Sequence, residues 1–588
     1  MKKVCGILLV FVFLLSAVAG TSSCERHPTP NEETTSADPS SQAPDASEDP
    51  ETTDGDGSDV TTEEITEAVV TTEEETTESE ITTSIACEEH SFSEWEILKL
   101  PNCMERGNRS RSCTKCKYVE TAFDERLPHS FFAGKCAVCD TPDLSPTLGY
   151  NNKITVLYWG DVELPEFDTF GPSINAIENA IYYRNQNAIF ELGLQKDGIE
   201  WIGIDGDHGE MANFVESLGN SYLAGEERYD VVASYSRTTA HCAINGLLAD
   251  INAIESSYID LSQPWWPTAV SDLVIGDSLY YLTGDLSTNL LHMMYGIHCN
   301  LDLIKELKLE DPVSLVLNKA WTIDKLISLS EGVFMECNGD GVPSSGDRFG
   351  FATEQLHTDA FYHGARYRLI EANDESILAV SKDYTSNSLK MYANTLVNFF
   401  ATPDVRFTNV SNNTFIDSKA LFFQSRAFAA MQYKRSATFS YVFLPTPMLD
   451  SKQDGYCTAI SNPFTLWAIA RTNNEEMKRE ATALLESFGR FSYTNVMPLV
   501  LAGYIDENAT EAEIINASAC VALARAGIVL DHGRFFPNTF MGGNYMNEVF
   551  SRSIIQGKPW VDVLLTVDYA SNLKSTLETI KANNSKAP

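Results

Sequence analysis

The sequence predicts an α/β fold built on a parallel sheet, on the basis of three short apolar runs and two helical stretches between them. The runs are Ile154–Trp159, 199–202 and 229–232, and the first of them is rich in β-branched side chains. The stretches near 175–192 and 210–223 have the apolar spacing of amphipathic helices. Strands that alternate with helices in this way form parallel sheets with both faces covered.

The composition is that of a chain with a buried core, since 43% of its 588 residues are hydrophobic. Its net charge of −40 is unevenly distributed, because residues 25–86 hold 19 acidic side chains and one arginine. The remainder is acidic as well, which excludes nonspecific binding to nucleic acid phosphates. The only long apolar run lies at the N-terminus, which excludes a multi-pass membrane protein.

Residues 1–23 have the features of an export signal. Lys2 and Lys3 precede an apolar run at 4–20 that is too short for a typical membrane span. The segment TSSC at 21–24 resembles the lipobox of bacterial lipoproteins, in which Cys24 is lipidated and becomes the first residue of the mature protein. Cleavage at the A-x-A motif of 17–19 is the alternative and gives a freely secreted protein. We expect a lipid anchor on the extracellular face of the cell membrane.

Residues 24–86 are rich in Thr, Glu, Ser and Pro and hold almost no large apolar side chain. Nothing in this segment would offset an ordering cost of about 1–2 kcal/mol per residue. Its like charges repel one another and keep the chain extended. The sequence therefore predicts a disordered acidic linker that acts as a stalk.

Residues 87–141 contain six of the thirteen cysteines and two histidines. So short and polar a segment needs additional links to fold, and cysteines two residues apart suit structural zinc sites. The candidate ligands are Cys87, His90, Cys103, Cys113, Cys116, His129, Cys136 and Cys139. Disulfide bonding outside the cell is the alternative. The spacing resembles the zinc-ribbon-like Cys/His modules of clostridial surface proteins, which implies a structural role or adhesion to the wall.

Seven landmarks occur in one consistent order between 150 and 580. They are ITVLYWGD (154–161), YDVVASYSRTTAHCAINGLLADI (229–251), LYYLTGD (279–285), MYGIHCNLDLIKELKL (294–309), AWTIDKL (320–326), SKALF (418–422), and FLPTP (443–447) with its following helix EEMKREATALLESF (475–488). In this order they resemble the family 1 extracellular solute-binding proteins of ABC importers, the group that includes maltose-binding protein.

The resemblance implies a two-lobed, periplasmic-binding-protein-like fold of type II over 150–588, in which a ligand is trapped when the lobes close. The first lobe would hold about 150–285 and 440–487, and the second about 288–435 and 490–580. The implied function is capture of a small solute, with carbohydrate as the leading class, for the permease subunits of an ABC transporter. We expect a monomer with no nucleic acid partner.

Sugar sites combine aromatic faces with planar polar side chains. By the resemblance, the ligand contacts are residues that follow strand ends or lie at the hinge: Trp159, Asp161, Tyr235, Ser236, Arg237, Asp285, Ser287, Ser425 and Arg426. Arg237 stands where sugar-binding relatives carry an acid, and its guanidinium favours anionic groups.

A loop at 336–347 has oxygen-bearing side chains at the offsets of an EF-hand calcium loop, with Gly341 at the turn. The candidate ligands are Glu336, Asn338, Asp340 and Asp347. Glutamate at the first offset and aspartate at the last depart from that pattern. Calcium binding is therefore a hypothesis, and an acidic turn is the alternative.

The sequence lacks the nucleophile-elbow, zinc-protease and phosphate-loop motifs, and we expect a binding protein rather than an enzyme. Two alternatives stay open. One is a surface adhesion or glycan-sensing protein without a transport role. The other is a secreted carbohydrate-active enzyme, because a catalytic pair of carboxylates has no local sequence signature.

Overall fold

The computed structural model describes parts of 91–136, and residues 153–585 with gaps at 170–174, 196, 374, 537–545, 547 and 564–567. The export signal, Cys24 and the linker lie outside the described residues. Among the predicted zinc ligands, so do Cys87, His90, Cys103, His129 and Cys139. The described residues belong to two compact units, a small one with 91–124 and a large one with 131–136 and 153–585.

The small unit contains a three-stranded antiparallel sheet in the order β1-β2-β3. The strands are β1 (Glu96–Lys99), β2 (Gly107–Ser112) and β3 (Val119–Asp124). Arg111 of β2 lies over the ring of Trp95, 4.5 Å from its centroid, and pairs with Glu120 of β3 at 2.5 Å. Packing between polar and aromatic side chains thus supports this sheet.

The first lobe of the large unit is built on a four-stranded sheet in the order β17-β8-β6-β7. Its strands are β6 (Ile154–Trp159), β7 (Ile199–Ile204), β8 (Val231–Tyr235) and β17 (Thr465–Ile469). β7 and β8 both pair parallel with β6, and β17 pairs antiparallel with β8. The parallel sheet predicted from the three apolar runs is therefore confirmed.

The second lobe is built on a five-stranded mixed sheet in the order β13-β10-β14-β9-β15. Its strands are β9 (Tyr295–Asn300), β10 (Phe349–Thr353), β13 (Val405–Arg406), β14 (Ala420–Arg426) and β15 (Tyr441–Pro445). β10 is parallel to both β13 and β14, whereas β9 is antiparallel to β14 and β15. With this second sheet, the predicted two-lobed α/β fold is confirmed.

Short strands complete the large unit: β4 (Phe131–Phe132) with β5 (Lys135–Cys136), β11 (Ile370–Ala372) with β12 (Leu378–Val380), and β16 (Thr458–Ala459) with β18 (Ile528–Val529). The α-helices span Ala176–Leu192, Met211–Leu223, Ser236–Ile244, Thr288–His292, Leu301–Leu307, Pro312–Leu317, Ile323–Ser330, Ala360–Gly364, Asn387–Phe400, Asn412–Ile416, Ala429–Ser436, Glu475–Phe491, Met497–Ala502, Glu511–Ala526, Glu548–Ile555, Trp560–Val563 and Tyr569–Asn584.

Local sequence signals set the helix ends. The helix Ala176–Leu192 begins after Asn175, whose side chain accepts a hydrogen bond from the amide of Ile177. It ends at Gly193, which has a φ of 68° and so adopts the left-handed conformation that favours glycine. Capping and a glycine stop explain why the sequence locates this helix to within one residue.

Two segments differ from the expectation. The landmark at 279–285, expected as a strand that leads into the hinge, is not a regular strand: it makes a single bridge, Leu282 to Trp467, before the chain turns away at Gly284. A side chain at Gly284 would come within 2.4 Å of the Trp265 carbonyl oxygen, so the turn there brings two backbones close together. The last helix, Tyr569–Asn584, packs against both β12 of the second lobe and the first-lobe helix Ser236–Ile244, whereas it was expected in the second lobe alone.

Candidate functional site

A polar cleft of about 310 Å³ lies where the two lobes meet. It is at the carboxyl ends of β8 in the first lobe and of β10 and β14 in the second, the position where open α/β sheets bind ligands. Its lining is Tyr235, Arg237, Tyr295, Gln355, Leu356, Asp359, Arg426, Ser461, Asn462, Pro463, Arg534, Glu548, Ser551, Arg552, Ile555 and Gln556. The volume is at the lower end of the about 300–1,000 Å³ typical of small-molecule sites.

The first-lobe wall of the cleft begins with Tyr235, the last residue of β8, which is 5% exposed. Trp159 packs behind this ring, with centroids 5.7 Å apart, and its Nε1 donates to Thr465 Oγ1 at 3.0 Å. Thr465 Oγ1 in turn donates to the buried carboxylate of Glu166 at 3.0 Å. Trp159 therefore supports Tyr235 from the sheet side and does not line the cleft.

Two hydrogen bonds hold the segment at 461–463 against the neighbouring elements. Ser236 Oγ donates to the carbonyl oxygen of Asn462 at 2.8 Å, and Tyr295 Oη donates to Ser461 Oγ at 3.0 Å. Tyr295 begins β9, so this segment is bonded to both lobes. These bonds fix the floor of the cleft, and the second of them joins two of its lining residues.

A buried ion pair stands at the centre of the second-lobe wall. Arg534 Nη1 and Asp359 Oδ2 are 2.7 Å apart, and both side chains are 4% exposed. Arg237 Nε from the first lobe donates to the carbonyl oxygen of Arg534 at 3.1 Å. Gly533 permits this placement, because an added Cβ would lie 2.4 Å from Leu369 Cβ. A hydrogen bond from the Arg237 side chain to the Arg534 backbone therefore joins the two walls.

Glu548 is the second carboxylate of the cleft, at the start of the helix Glu548–Ile555. Burial raises its pKa to about 7, although the charges of Arg237, Arg552 and Arg534 act in the opposite direction. The negative charge of Asp359 adds to the effect of burial. Near neutral pH this carboxyl is therefore divided between its protonated and ionised forms.

Arg426, the last residue of β14, extends from the second lobe toward the first. Its Nη1 lies 3.2 Å from Oε2 of Glu163, and the two side chains are 22% and 48% exposed. This ion pair crosses the cleft between the lobes. Because both partners are partly solvated, it contributes at most about 1 kcal/mol to stability.

Four lining residues have a buried polar atom with no hydrogen-bond partner among the described residues. These atoms are Nε of Arg426, Nε of Arg534, Oδ1 of Asn462 and Oγ of Ser551. Buried polar groups are usually paired, because an unpaired one costs about 1–3 kcal/mol. A polar solute or ordered water would supply the missing partners.

Three of the residues that the sequence singled out line the cleft: Tyr235, Arg237 and Arg426. Ser236 and Ser425 are adjacent to lining residues, and both side chains are buried. Asp161 accepts hydrogen bonds from the amides of Gly206 and Asp207 and so fixes the loop after β7.

Two hinge residues on that list have structural partners. Asp285 is 2% exposed and lies 2.6 Å from Nη2 of Arg525. Ser287 Oγ accepts a hydrogen bond from the amide of Leu290 and so caps the helix Thr288–His292. Neither residue belongs to the cleft lining.

Several lining residues were not predicted from the sequence, among them Tyr295, Asp359, Asn462, Arg534, Glu548, Ser551 and Arg552. One signal was available for Arg534, which is a charged residue in the otherwise apolar context Gly533-Arg534-Phe535-Phe536. Asp359 and Glu548 carried no comparable signal, because their partners are distant in sequence. Arg534 and Asp359, for example, are 175 positions apart.

The loop predicted to bind calcium brings Glu336, Asp340 and Asp347 together, with one oxygen of each within 4.8 Å of the others. Asp347 is buried, and hydrogen bonds from the amides of Cys337 and Ser344 lower the pKa of its carboxyl. Asn338 Oδ1 accepts from the amide of Asp340. The spacing fits the oxygen ligands of calcium, although these hydrogen bonds also describe an acidic turn.

Only part of the predicted zinc site is described. Cys113 follows β2 directly and is buried, and Cys116 is half-buried three residues later. Cys136 lies on β5, and its side chain is not among those described.

A second cavity, of about 430 Å³ and mainly apolar, lies beside the edge strand β15 and the helices Leu301–Leu307 and Glu511–Ala526. Its lining includes the charged residues Lys305, Lys308 and Glu513. It contains none of the residues that the sequence analysis singled out.

Within the described part of the chain, no helix combines the length and apolar character needed to cross a membrane.

Neither a protein-family model nor a curated protein matches the sequence. Among solved structures, the chain is similar to a cyclic alpha-maltosyl-1,6-maltose binding protein from Arthrobacter globiformis, with TM-score 0.46 and 13% identity over 74% of this chain and 99% of that one. It is also similar to a maltose-binding periplasmic protein from Listeria monocytogenes in complex with maltose, with TM-score 0.42 and 12% identity over 74% and 100%.

A third similar structure is the galacto-N-biose/lacto-N-biose I-binding protein of an ABC transporter from Bifidobacterium longum, with TM-score 0.40 and 13% identity over 73% of this chain and 98% of that one.

Proposed function

We propose that this chain is an extracellular solute-binding protein of an ABC importer that captures a saccharide between its two lobes. The observation that carries the proposal is the cleft itself, in which Tyr235 and Arg237 of one lobe face Arg426 and Arg534 of the other. Closure of two such walls surrounds a solute and changes the surface that a permease would recognise. The seven landmarks in family 1 order support the same assignment.

Saccharide is the proposed ligand class because of the chemistry of the lining. Tyr235 and Tyr295 offer ring surface to the apolar C–H faces of a sugar, and the buried Asn462 Oδ1 and Ser551 Oγ offer partners for hydroxyl groups. The cleft volume of about 310 Å³ suits one or two sugar rings rather than a long chain.

The test is a thermal-shift and tryptophan-fluorescence screen of the full chain against neutral and acidic saccharides. A solute that binds only the folded state raises the melting temperature by mass action, here by a few degrees at a concentration of about 100 Kd. Tyr235→Ala should abolish the shift. Tyr258→Ala, a first-lobe tyrosine that is 41% exposed and outside the cleft, should preserve it.

A flat response to every saccharide would contradict the proposal. The alternative of a carbohydrate-active enzyme is tested by chromatography of the same mixtures, which detects hydrolysis of the saccharide. It is tested because the cleft holds two carboxylates, Asp359 and Glu548, and a glycosidase uses such a pair. If the wild type releases smaller sugars and Glu548→Gln does not, the protein is a carbohydrate-active enzyme instead.

The proposal includes a lipid anchor at Cys24. Export and lipidation would place the folded lobes at the extracellular face of the membrane, at the end of the acidic stalk. Cys24→Ser should move the protein from the membrane fraction to the culture supernatant, and no change in its distribution would contradict an anchor.

We also propose zinc for the Cys/His module and calcium for the loop at 336–347. Zinc would be held by cysteine thiolates and histidines and would link a segment with little apolar core. Calcium would take oxygens of Glu336, Asn338, Asp340 and Asp347. Elemental analysis of the full chain should find bound zinc, and the zinc content of the variant Cys113→Ser should be lower. Calcium should raise the melting temperature of the wild type but not of Asp340→Ala. Metal-free protein with paired cysteines would contradict zinc.

A further inference from the structure

The charge of the cleft is opposite to that of the chain around it. Over the whole sequence, 82 acidic residues face 42 lysines and arginines. In the cleft lining the ratio is reversed, with Arg237, Arg426, Arg534 and Arg552 against the two acids Asp359 and Glu548. An acidic protein repels anions at long range, so a local excess of cations in its binding cleft points to the ligand rather than to the fold.

The lining arginines differ in how far carboxylates of the protein neutralise their positive charge. Arg534 is fully buried beside Asp359 and forms a close ion pair with it. Arg426 pairs with Glu163, whose side chain is 48% exposed and competes with water. Among the described residues, Nε of Arg426 has no hydrogen-bond partner. Of these two arginines, Arg426 is the one whose counterion is more solvated and easier to replace.

The acid that could balance the remaining charge is itself only partly ionised near neutral pH. Burial raises the pKa of Glu548 to about 7, so the cleft is more cationic than its composition alone suggests. A guanidinium binds a carboxylate or phosphate through two parallel hydrogen bonds, which a neutral sugar hydroxyl does not offer.

We propose that the solute captured in this cleft is an acidic saccharide whose anionic group binds Arg426. The inference rests on the proposed function and narrows its ligand class. A uronate and a sugar phosphate share the required chemistry, namely an oxyanion beside hydroxyl groups. Asn462 Oδ1 and Ser551 Oγ remain for the hydroxyl groups, which separates this ligand class from simple inorganic anions.

The experiment is isothermal titration calorimetry of the full chain with matched acidic and neutral sugars. The probes are galacturonate against galactose, glucuronate against glucose, their dimers, and glucose 6-phosphate as the phosphate arm. We expect the acidic member of at least one pair to bind about tenfold tighter or better, as a charge-assisted bidentate contact implies. Tighter binding of a uronate would identify the anionic group as a carboxylate, and tighter binding of glucose 6-phosphate would identify it as a phosphate.

Two arginine variants make the test specific. Arg426→Met should reduce the preference for the acidic sugar to less than about threefold, because it removes the contact that only the anionic member of each pair makes. Arg366→Met is the matched control, because Arg366 is equally exposed at 23% and pairs with an exposed acid, Asp454, but lies outside the cleft. It should leave the preference intact.

Each remaining outcome decides a different claim. Neutral sugars that bind as tightly as acidic ones would overturn this inference and leave the proposed function standing. No binding by any saccharide would overturn both. An acidic preference that Arg426→Met does not change would contradict the assignment of the anion to Arg426.

Discussion

The two walls of the cleft are built in different ways. The first-lobe wall comes from one stretch of sequence, Tyr235 to Arg237, which follows a strand and is held by hydrogen bonds to backbone carbonyls. The second-lobe wall is assembled from Asp359, Arg426 and Arg534, which are far apart in sequence and held largely by ion pairs. The residues of the first wall are thus neighbours in sequence, whereas those of the second are brought together by tertiary packing.

This difference has an energetic consequence. A wall fixed by hydrogen bonds from side chains to backbone carbonyls loses about 0.5–1.5 kcal/mol when one bond is removed. A wall fixed by a buried ion pair loses several times more when one partner is removed, because the other charge stays buried without compensation. We therefore expect stability to depend mainly on the second wall, and ligand preference to depend on residues that both walls present.

The largest effect is expected for Asp359→Asn. It leaves Arg534 buried without its counterion, and the free energy of unfolding should fall by about 3–5 kcal/mol, measured by denaturant titration. The control is Asp454→Asn, which removes a partner that is 66% exposed and should cost at most about 1 kcal/mol. Equal losses in the two variants would show that the ion pair does not hold the second wall.

The next effect is a dependence of stability on pH set by Glu548. Its pKa is raised from 4.5 to about 7 on folding, so its favourable contribution is present below pH 4.5 and is lost as the pH rises through 7. At pH 8, Glu548→Gln should be more stable than the wild type by about 2–3 kcal/mol, and the difference should vanish near pH 4.5.

Unfolding of both proteins between pH 4.5 and 8 measures this difference. Arg237, Arg534, Arg552 and Asp359 are the charged groups that act on this carboxyl. Glu216→Gln, at an exposed helix position, is the control. A difference between wild type and Glu548→Gln that does not vary with pH would contradict the assignment.

A smaller effect is expected for Trp159→Phe. This variant tests whether Trp159 only packs behind Tyr235 or also contacts the ligand. It removes the hydrogen bond to Thr465 and some packing behind Tyr235, and should lower the free energy of unfolding by about 1–2 kcal/mol. Saccharide affinity, measured by calorimetry, should change less than about twofold. If affinity falls as far as it does in Tyr235→Ala, Trp159 touches the ligand as the sequence predicts.

The smallest effect is expected for Glu163→Gln, the first-lobe partner of Arg426. Loss of a partly exposed ion pair should change the free energy of unfolding by less than about 1 kcal/mol. Affinity for an acidic saccharide should rise a few fold, because Arg426 no longer has a competing carboxylate. A fall in affinity would instead mean that this pair helps to close the lobes.

The sequence was sufficient to locate the first elements of the first lobe and to place Tyr235 and Arg237 at the end of β8. Apolar runs and capping residues are local signals, so β6, β7 and their connecting helix were predicted to within two residues. The second wall was not predictable in this way. The pairing of Asp359 with Arg534, and the burial that shifts Glu548, arise only when distant segments pack together.

The central claim is that one solute contacts both walls of the cleft. Hydrogen–deuterium exchange of the full chain, with and without the saccharide that gives the largest thermal shift, tests it most directly. We predict slower exchange both in the first-lobe helix Ser236–Ile244 and in the second-lobe helix Glu548–Ile555. Protection confined to one lobe, or to the segments beside the second cavity at 301–309 and 505–517, would contradict it.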